Sequence, residues 1–104
     1  MNKIIAVDFD GTLCKNAWPE IGEPNAWLIQ NLISSKEEGH KIILWTCRTG
    51  ELLDKAIGWC KNKGLIFDAI NENVSEAIER FGGDCRKVYA DVYLDDKAVR
   101  IFTK

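Results

Sequence analysis

The sequence predicts a three-layer α/β fold, an open parallel sheet with helices on both faces. Apolar strand-like runs alternate with amphipathic helix-like segments along the chain, and the connections between them are short. The first run is apolar at both parities, as expected of a strand covered on both faces in a parallel sheet. Short connections between such units imply right-handed crossovers.

Lys3 to Phe9 is the first expected strand, and Gly11 to Glu23 is read as a loop. A helix is expected to begin near Pro24, a residue suited to a first turn, with Leu28, Ile29, Leu32 and Ile33 on one face and Gly39 at its end. Lys41 to Thr46 is a second strand. Leu52, Leu53, Ala56, Ile57 and Cys60 stripe a second helix that stops at Gly64. A third strand covers Ile66 to Ile70. Asn73 with Glu76 has the spacing of a capping box, and Val74, Ala77, Ile78 and Phe81 mark a third helix ending at Gly82. A fourth strand, Val88 to Leu94, ends on Asp95-Asp96, and a fifth would have to come from Val99 to Phe102. There are no repeats, linkers or low-complexity tracts, so 1–104 is read as one domain.

Composition narrows the function. A hydrophobic fraction of 46% fits a packed globule, and a net charge of -2 provides no polycationic face to hold nucleic acid by charge alone. No apolar run approaches the roughly 20 residues of a membrane span, and Met-Asn-Lys leads straight into a strand instead of a signal peptide, so a soluble cytoplasmic protein is expected. Cys14, Cys47, Cys60 and Cys85 lack metal-ligand spacing, and His40 is the single histidine. They are read as buried or half-buried free thiols without a chemical role. The four tryptophans are read as core, except Trp18, which falls in the loop.

In open parallel sheets the ligand crevice lies at the carboxyl ends of the strands. Asp8 and Asp10 end the first strand, Thr46 and Arg48 the second, Asp95 and Asp96 the fourth. Residues two apart on an extended chain point the same way, so Asp8 and Asp10 are expected to face one crevice while Phe9 packs away. Neighbouring carboxylates repel unless a proton or cation intervenes, and four of them on one rim favour a cation. Oxygen-only ligands that leave room for water and phosphate suit Mg²⁺. Gly11 would let the chain turn sharply, and Thr12 would tie the turn through its hydroxyl.

DFDGT after the apolar strand, Thr46 after the second, Lys87 upstream of the last and LDD at its end together resemble the four motifs of the haloacid dehalogenase-like (HAD) hydrolase superfamily. The resemblance spans Asp8 to Asp96. It implies a Mg²⁺-dependent phosphatase in which Asp8 attacks phosphorus to form an aspartyl-phosphate. Asp10 would protonate the leaving oxygen and then activate water, its backbone carbonyl binding the metal. Thr46 would hold the phosphoryl group, Lys87 would neutralise charge, and Asp95, supported by Asp96, would complete the metal shell. This division of labour suits phosphoryl transfer, which needs positioning and charge neutralisation.

Many members of that superfamily insert a cap domain, and this chain resembles a capless one, since both insertion points carry short connections. An open site suits phosphorylated ends or side chains of larger molecules, or small phosphomonoesters if a second subunit lends a cover, which would make the protein a homo-oligomer. The segment WTCRTGE is also similar to the Ser/Thr-x-Arg segment of polynucleotide kinase-phosphatases, so a phosphorylated nucleic-acid end is kept among the candidate substrates. Arg48 is a candidate phosphate or leaving-group clamp, and its alternative is a surface salt bridge. Trp18, in the loop after the first motif, is a candidate substrate contact. Asp91 is read as structural. The rival class is a receiver-like phospho-accepting domain or an idle binding module. A receiver would need an aspartate after the third strand, where this chain has Asn71-Glu72-Asn73.

Overall fold

A computed structural model describes residues 2–103. Met1, expected to lead into the first strand, lies outside them, as does Lys104. Six strands and three helices follow in the order β1 (Ile4–Val7), β2 (Cys14–Ala17), β3 (Glu20–Pro24), α1 (Ala26–Glu37), β4 (Lys41–Leu44), α2 (Gly50–Asn62), β5 (Ala69–Ile70), α3 (Ser75–Phe81) and β6 (Val92–Leu94). Four strands form one parallel sheet in the order β5-β4-β1-β6. Alternation along β1 and β4 divides the apolar side chains between two clusters. Val7, Ile42 and Leu44 pack with Ile29 and Leu32 of α1 and Ala56 and Cys60 of α2. Ala6 and Ile43 pack with Val74, Ala77 of α3 and Val88. The central strand is apolar at both parities because each parity has its own cluster to enter.

The segment 11–23 is not the open loop expected from its polarity. Cys14–Ala17 and Glu20–Pro24 pair antiparallel as a hairpin whose turn contains a cis Trp18-Pro19 bond. Its strands are largely exposed, so no apolar alternation marks them. Pro24 belongs to this hairpin rather than to a first helical turn. The α1 cap is Asn25, whose side chain accepts a hydrogen bond from the Leu28 amide at 3.2 Å.

The third and fourth sheet strands are shorter than expected, for one physical reason at both. The Asp68 carboxylate accepts the Ile42 amide at 2.7 Å, and the Asp91 carboxylate accepts the Ile4 amide at 2.8 Å. Each aspartate takes a bond that a longer ladder would use, which makes Asp91 the structural residue it was expected to be. The capping box at Asn73 does not form. The α3 cap position is Val74, and buried Asn73 instead donates to Asp84 and Cys85 and accepts the Tyr89 amide at 2.6 Å. Among the described residues Val99 to Phe102 forms no strand, and Val99, Ile101 and Phe102 are exposed. Among the described residues no helix is long and apolar enough to cross a membrane. Trp27 also departs from expectation: it lies on the outer side of α1, 74% exposed.

Candidate functional site

β1 and β6 run side by side with Val7 opposite Leu94, and the ladder continues into a bond from the Asp8 amide to the Leu94 carbonyl at 2.9 Å. This register delivers Asp8 from one strand and Asp95 and Asp96 from the other to the same edge. One carboxylate oxygen from each of the three lies within 4.8 Å of the others. Two local devices hold the approach. The Thr12 hydroxyl donates to Asp8 at 3.3 Å and accepts the Asp96 amide at 3.1 Å, so one side chain ties the DFDGT turn to the end of β6. Gly11 has a φ of +87°, and a Cβ there would lie 2.4 Å from an Asp96 carboxylate oxygen. A side chain there would strain the backbone and push the Asp96 carboxylate aside.

The electrostatics of the trio centre on Asp8. Partial burial raises its pKa from 3.8 to about 6, and the charges of Asp95 and Asp96 push in the same direction. The bond from Thr12 and the Phe9 amide oppose the rise without cancelling it. Three anionic groups this close are under-neutralised by the protein alone. Their oxygen-only donor set, with Asp95 and Asp96 exposed to solvent, fits a hard divalent cation that keeps part of its water. Among the described residues no cysteine or histidine joins such a group. Cys14 and Cys60 are buried and burial pushes both thiols up, Cys60 to about 12, while Cys47 and Cys85 are exposed rather than buried.

Asp10 does not join the trio, and four carboxylates therefore do not converge as the sequence suggested. Phe9 is fully buried between the two aspartates, but Asp10 turns toward Arg48. Arg48 Nε and one terminal nitrogen donate to the two Asp10 oxygens at 2.8 and 2.7 Å. The remaining donors reach the carbonyls of Pro19, Glu20 and Leu52 at 3.0–3.3 Å. Arg48 is 2% exposed and its guanidinium lies 5.0 Å from the Phe9 ring centroid. With every donor used inside the protein, Arg48 has none left for a substrate, and it is not a surface ion pair either. Nothing in the sequence separates a buried arginine from an exposed one. The nearest clue is that a carboxylate available to pair with it ends the neighbouring strand.

Thr46 follows the carboxyl end of β4, which pairs with β1 with Leu44 opposite Val7, so it leaves the sheet on the same edge as Asp8. Its amide donates to the Asn71 side chain at 2.8 Å and its hydroxyl accepts the Arg48 amide at 3.1 Å. The hydroxyl hydrogen remains available to an anion. Asn71, with a φ of +52°, thus fixes a candidate site residue from the end of β5, a contact its sequence context did not reveal. Lys87 is exposed, and among the described residues no ion pair joins it to a carboxylate. Its segment, Cys85 to Tyr89, is gripped by Asn73 just beyond the carboxyl end of β5. Trp18 is 61% exposed at the hairpin turn. A groove of about 870 Å³ runs between Thr12, Asn25 and Leu28 on one side and Tyr93, Asp95 and Arg100 on the other. Asp8 does not line it, so the groove borders the trio from the β6 side.

No family model and no curated protein matches the sequence. A solved structure does: that of a conserved protein from Bacteroides thetaiotaomicron, 42% identical, superposing with a TM-score of 0.84 over 95% of this chain and 79% of that one. Identity at that level over nearly the whole chain exceeds what a shared fold requires, and the protein belongs to the same family as that conserved Bacteroides protein.

Proposed function

We propose that the protein is a Mg²⁺-dependent phosphomonoester hydrolase of the HAD type, a three-layer Rossmannoid domain without a cap, working through an aspartyl-phosphate on Asp8. The observation that carries this reading is the meeting of Asp8 with Asp95 and Asp96 within 4.8 Å, at the carboxyl ends of adjacent parallel strands. The roles come from the sequence motifs, and the convergence of Asp8, Asp95 and Asp96 supports them. Asp8, Asp95 and Asp96 would hold the cation, with the Asp10 main chain in support. Bound there, Mg²⁺ would offset the repulsion between a carboxylate nucleophile and a phosphate dianion.

The steps performed by this chain follow. An Asp8 oxygen forms a bond to phosphorus as the P–O bond to the leaving oxygen breaks with its electron pair. The leaving oxygen takes a proton from the Asp10 carboxyl. Water then attacks phosphorus, gives its proton back to Asp10, and the P–O bond to Asp8 breaks to release phosphate. Thr46 donates its hydroxyl hydrogen to a phosphoryl oxygen, and Lys87 adds positive charge from the Asn73-held segment. Both Asp10 oxygens are bonded to Arg48 in the structure, so proton transfer requires that carboxyl to loosen from its partner.

The exposed rim, with the hairpin turn tied to Asp10 through Arg48, favours a phosphate carried on something larger than a small metabolite. Phosphorylated nucleic-acid ends are one such class. The test is hydrolysis of a phosphomonoester panel that includes 3′- and 5′-phosphorylated oligonucleotides, with Mg²⁺ and with chelator. Activity on part of the panel that disappears on chelation is expected; turnover that survives exhaustive chelation, or none on any ester, would refute the reading.

A further inference from the structure

All five N–H donors of the Arg48 side chain are used inside the protein. A guanidinium 2% exposed is costly unless neutralised and fully bonded. Here one carboxylate, Asp10, neutralises it through a two-pronged pair, and three carbonyls take the other donors. Those carbonyls come from two places, Pro19 and Glu20 on the hairpin turn and Leu52 on the first turn of α2. The planar fork allows little independent adjustment, because its five donors lie in one rigid plane. If the hairpin turn moves, the buried donors facing Pro19 and Glu20 lose their acceptors, and the fork must shift or stay unsatisfied. If the fork shifts, both Asp10 oxygens shift with it.

We propose that Arg48 is a positioning residue that couples the Trp18–Glu20 turn to Asp10, so that contact between a leaving group and the turn is transmitted to the group that protonates that leaving group. The acid–base half rests on the phosphatase reading; the mechanical half does not. Trp18 is the exposed side chain that a bulky leaving group would meet at this turn. Arg48 thus contributes to leaving-group selectivity without touching substrate.

Two measurements test it. The first is amide hydrogen exchange at Trp18, Glu20 and Gly22 in wild type, Asp10→Asn and Arg48→Lys. Asp10 forms no hydrogen bond to Pro19 or Glu20 of its own, so faster exchange at the turn in Asp10→Asn is the expected sign of transmission through Arg48. Unchanged exchange in both variants would overturn the coupling. The second is kcat for an alkyl phosphate and for p-nitrophenyl phosphate. An alkoxide needs a proton to leave and p-nitrophenolate does not, so Arg48→Lys is expected to slow the alkyl ester by on the order of tenfold or more beyond its effect on the aryl ester. Equal losses would reduce Arg48 to a structural brace. If the wild type hydrolyses neither ester, the phosphatase reading fails, and the exchange result alone upholds or overturns the coupling.

Discussion

Asp8 is an aspartate whose surroundings resist its charge, through partial burial first and the neighbouring Asp95 and Asp96 second, and its pKa stands at about 6 against an ordinary 3.8. A carboxyl raised in this way adds stability that is fully present below about pH 4 and lost as pH rises through about 6. In metal-free protein, Asp8→Asn is therefore expected to match wild type near pH 4 and to have the higher Tm at pH 7. Thermal melts across that range check it, and a difference independent of pH would show that burial and repulsion do not act on Asp8 as described. Mg²⁺ should close the gap by stabilising wild type alone. Gly11 makes a second prediction of the same kind. In Gly11→Ala the new methyl meets the exposed Asp96 carboxylate, which can swing away, while the positive φ costs about 1 kcal/mol. The variant should fold and lose Mg²⁺ affinity out of proportion to its stability, measured by calorimetric titration; affinity equal to wild type would place Asp96 outside the metal shell.

The elements differ in how plainly the sequence announced them. β1, β4 and the two long helices are driven by burial, and their apolar periodicity shows it. The β2–β3 hairpin is held by main-chain pairing and by Arg48, with Cys14 the one buried residue in its strands, so periodicity is silent there. β5 and β6 begin later than their apolar runs because Asp68 and Asp91 intercept the ladder, which hydropathy does not reveal. The acidic motifs were legible because charge at the end of an apolar strand demands a reason. The partnership of Asp10 with Arg48 was not, since it joins residues 38 apart in sequence. Asn25 links element to site: it caps α1 and donates to the Thr12 carbonyl at 3.2 Å. Asn25→Ala should cost about 1 kcal/mol in denaturant unfolding and loosen the turn that carries Thr12. A loss confined to stability, with Mg²⁺ affinity untouched, would separate the cap from the site. On the hairpin, Trp18→Ala is expected to raise KM and alter preference among bulky phosphomonoesters while leaving kcat for p-nitrophenyl phosphate nearly unchanged. Identical preference across a broad panel would make the turn scaffolding.

At the scale of the whole molecule, the parallel sheet works as a comb that brings sequence-distant residues to one edge. Asp8 and Asp96 lie 88 positions apart, 96 less 8, yet share an edge because β6 inserts next to β1 rather than beyond β5. The same order leaves β6 at the sheet margin and the trio open to solvent, which is why the site is read as one for phosphate presented by a larger molecule. Under the proposed function, Asp8, neutralised by a divalent cation held among three carboxylates, would accept a phosphoryl group. The most direct measurement is ¹⁹F NMR of the protein with Mg²⁺ and beryllofluoride, a phosphoryl mimic that bonds to a carboxylate oxygen only where a phosphoryl acceptor and a cation are both in place. A bound fluoride signal is expected in wild type, absent in Asp8→Asn and removed by chelation. No signal in wild type, or a signal that persists in Asp8→Asn, would contradict the assignment of Asp8 as the nucleophile.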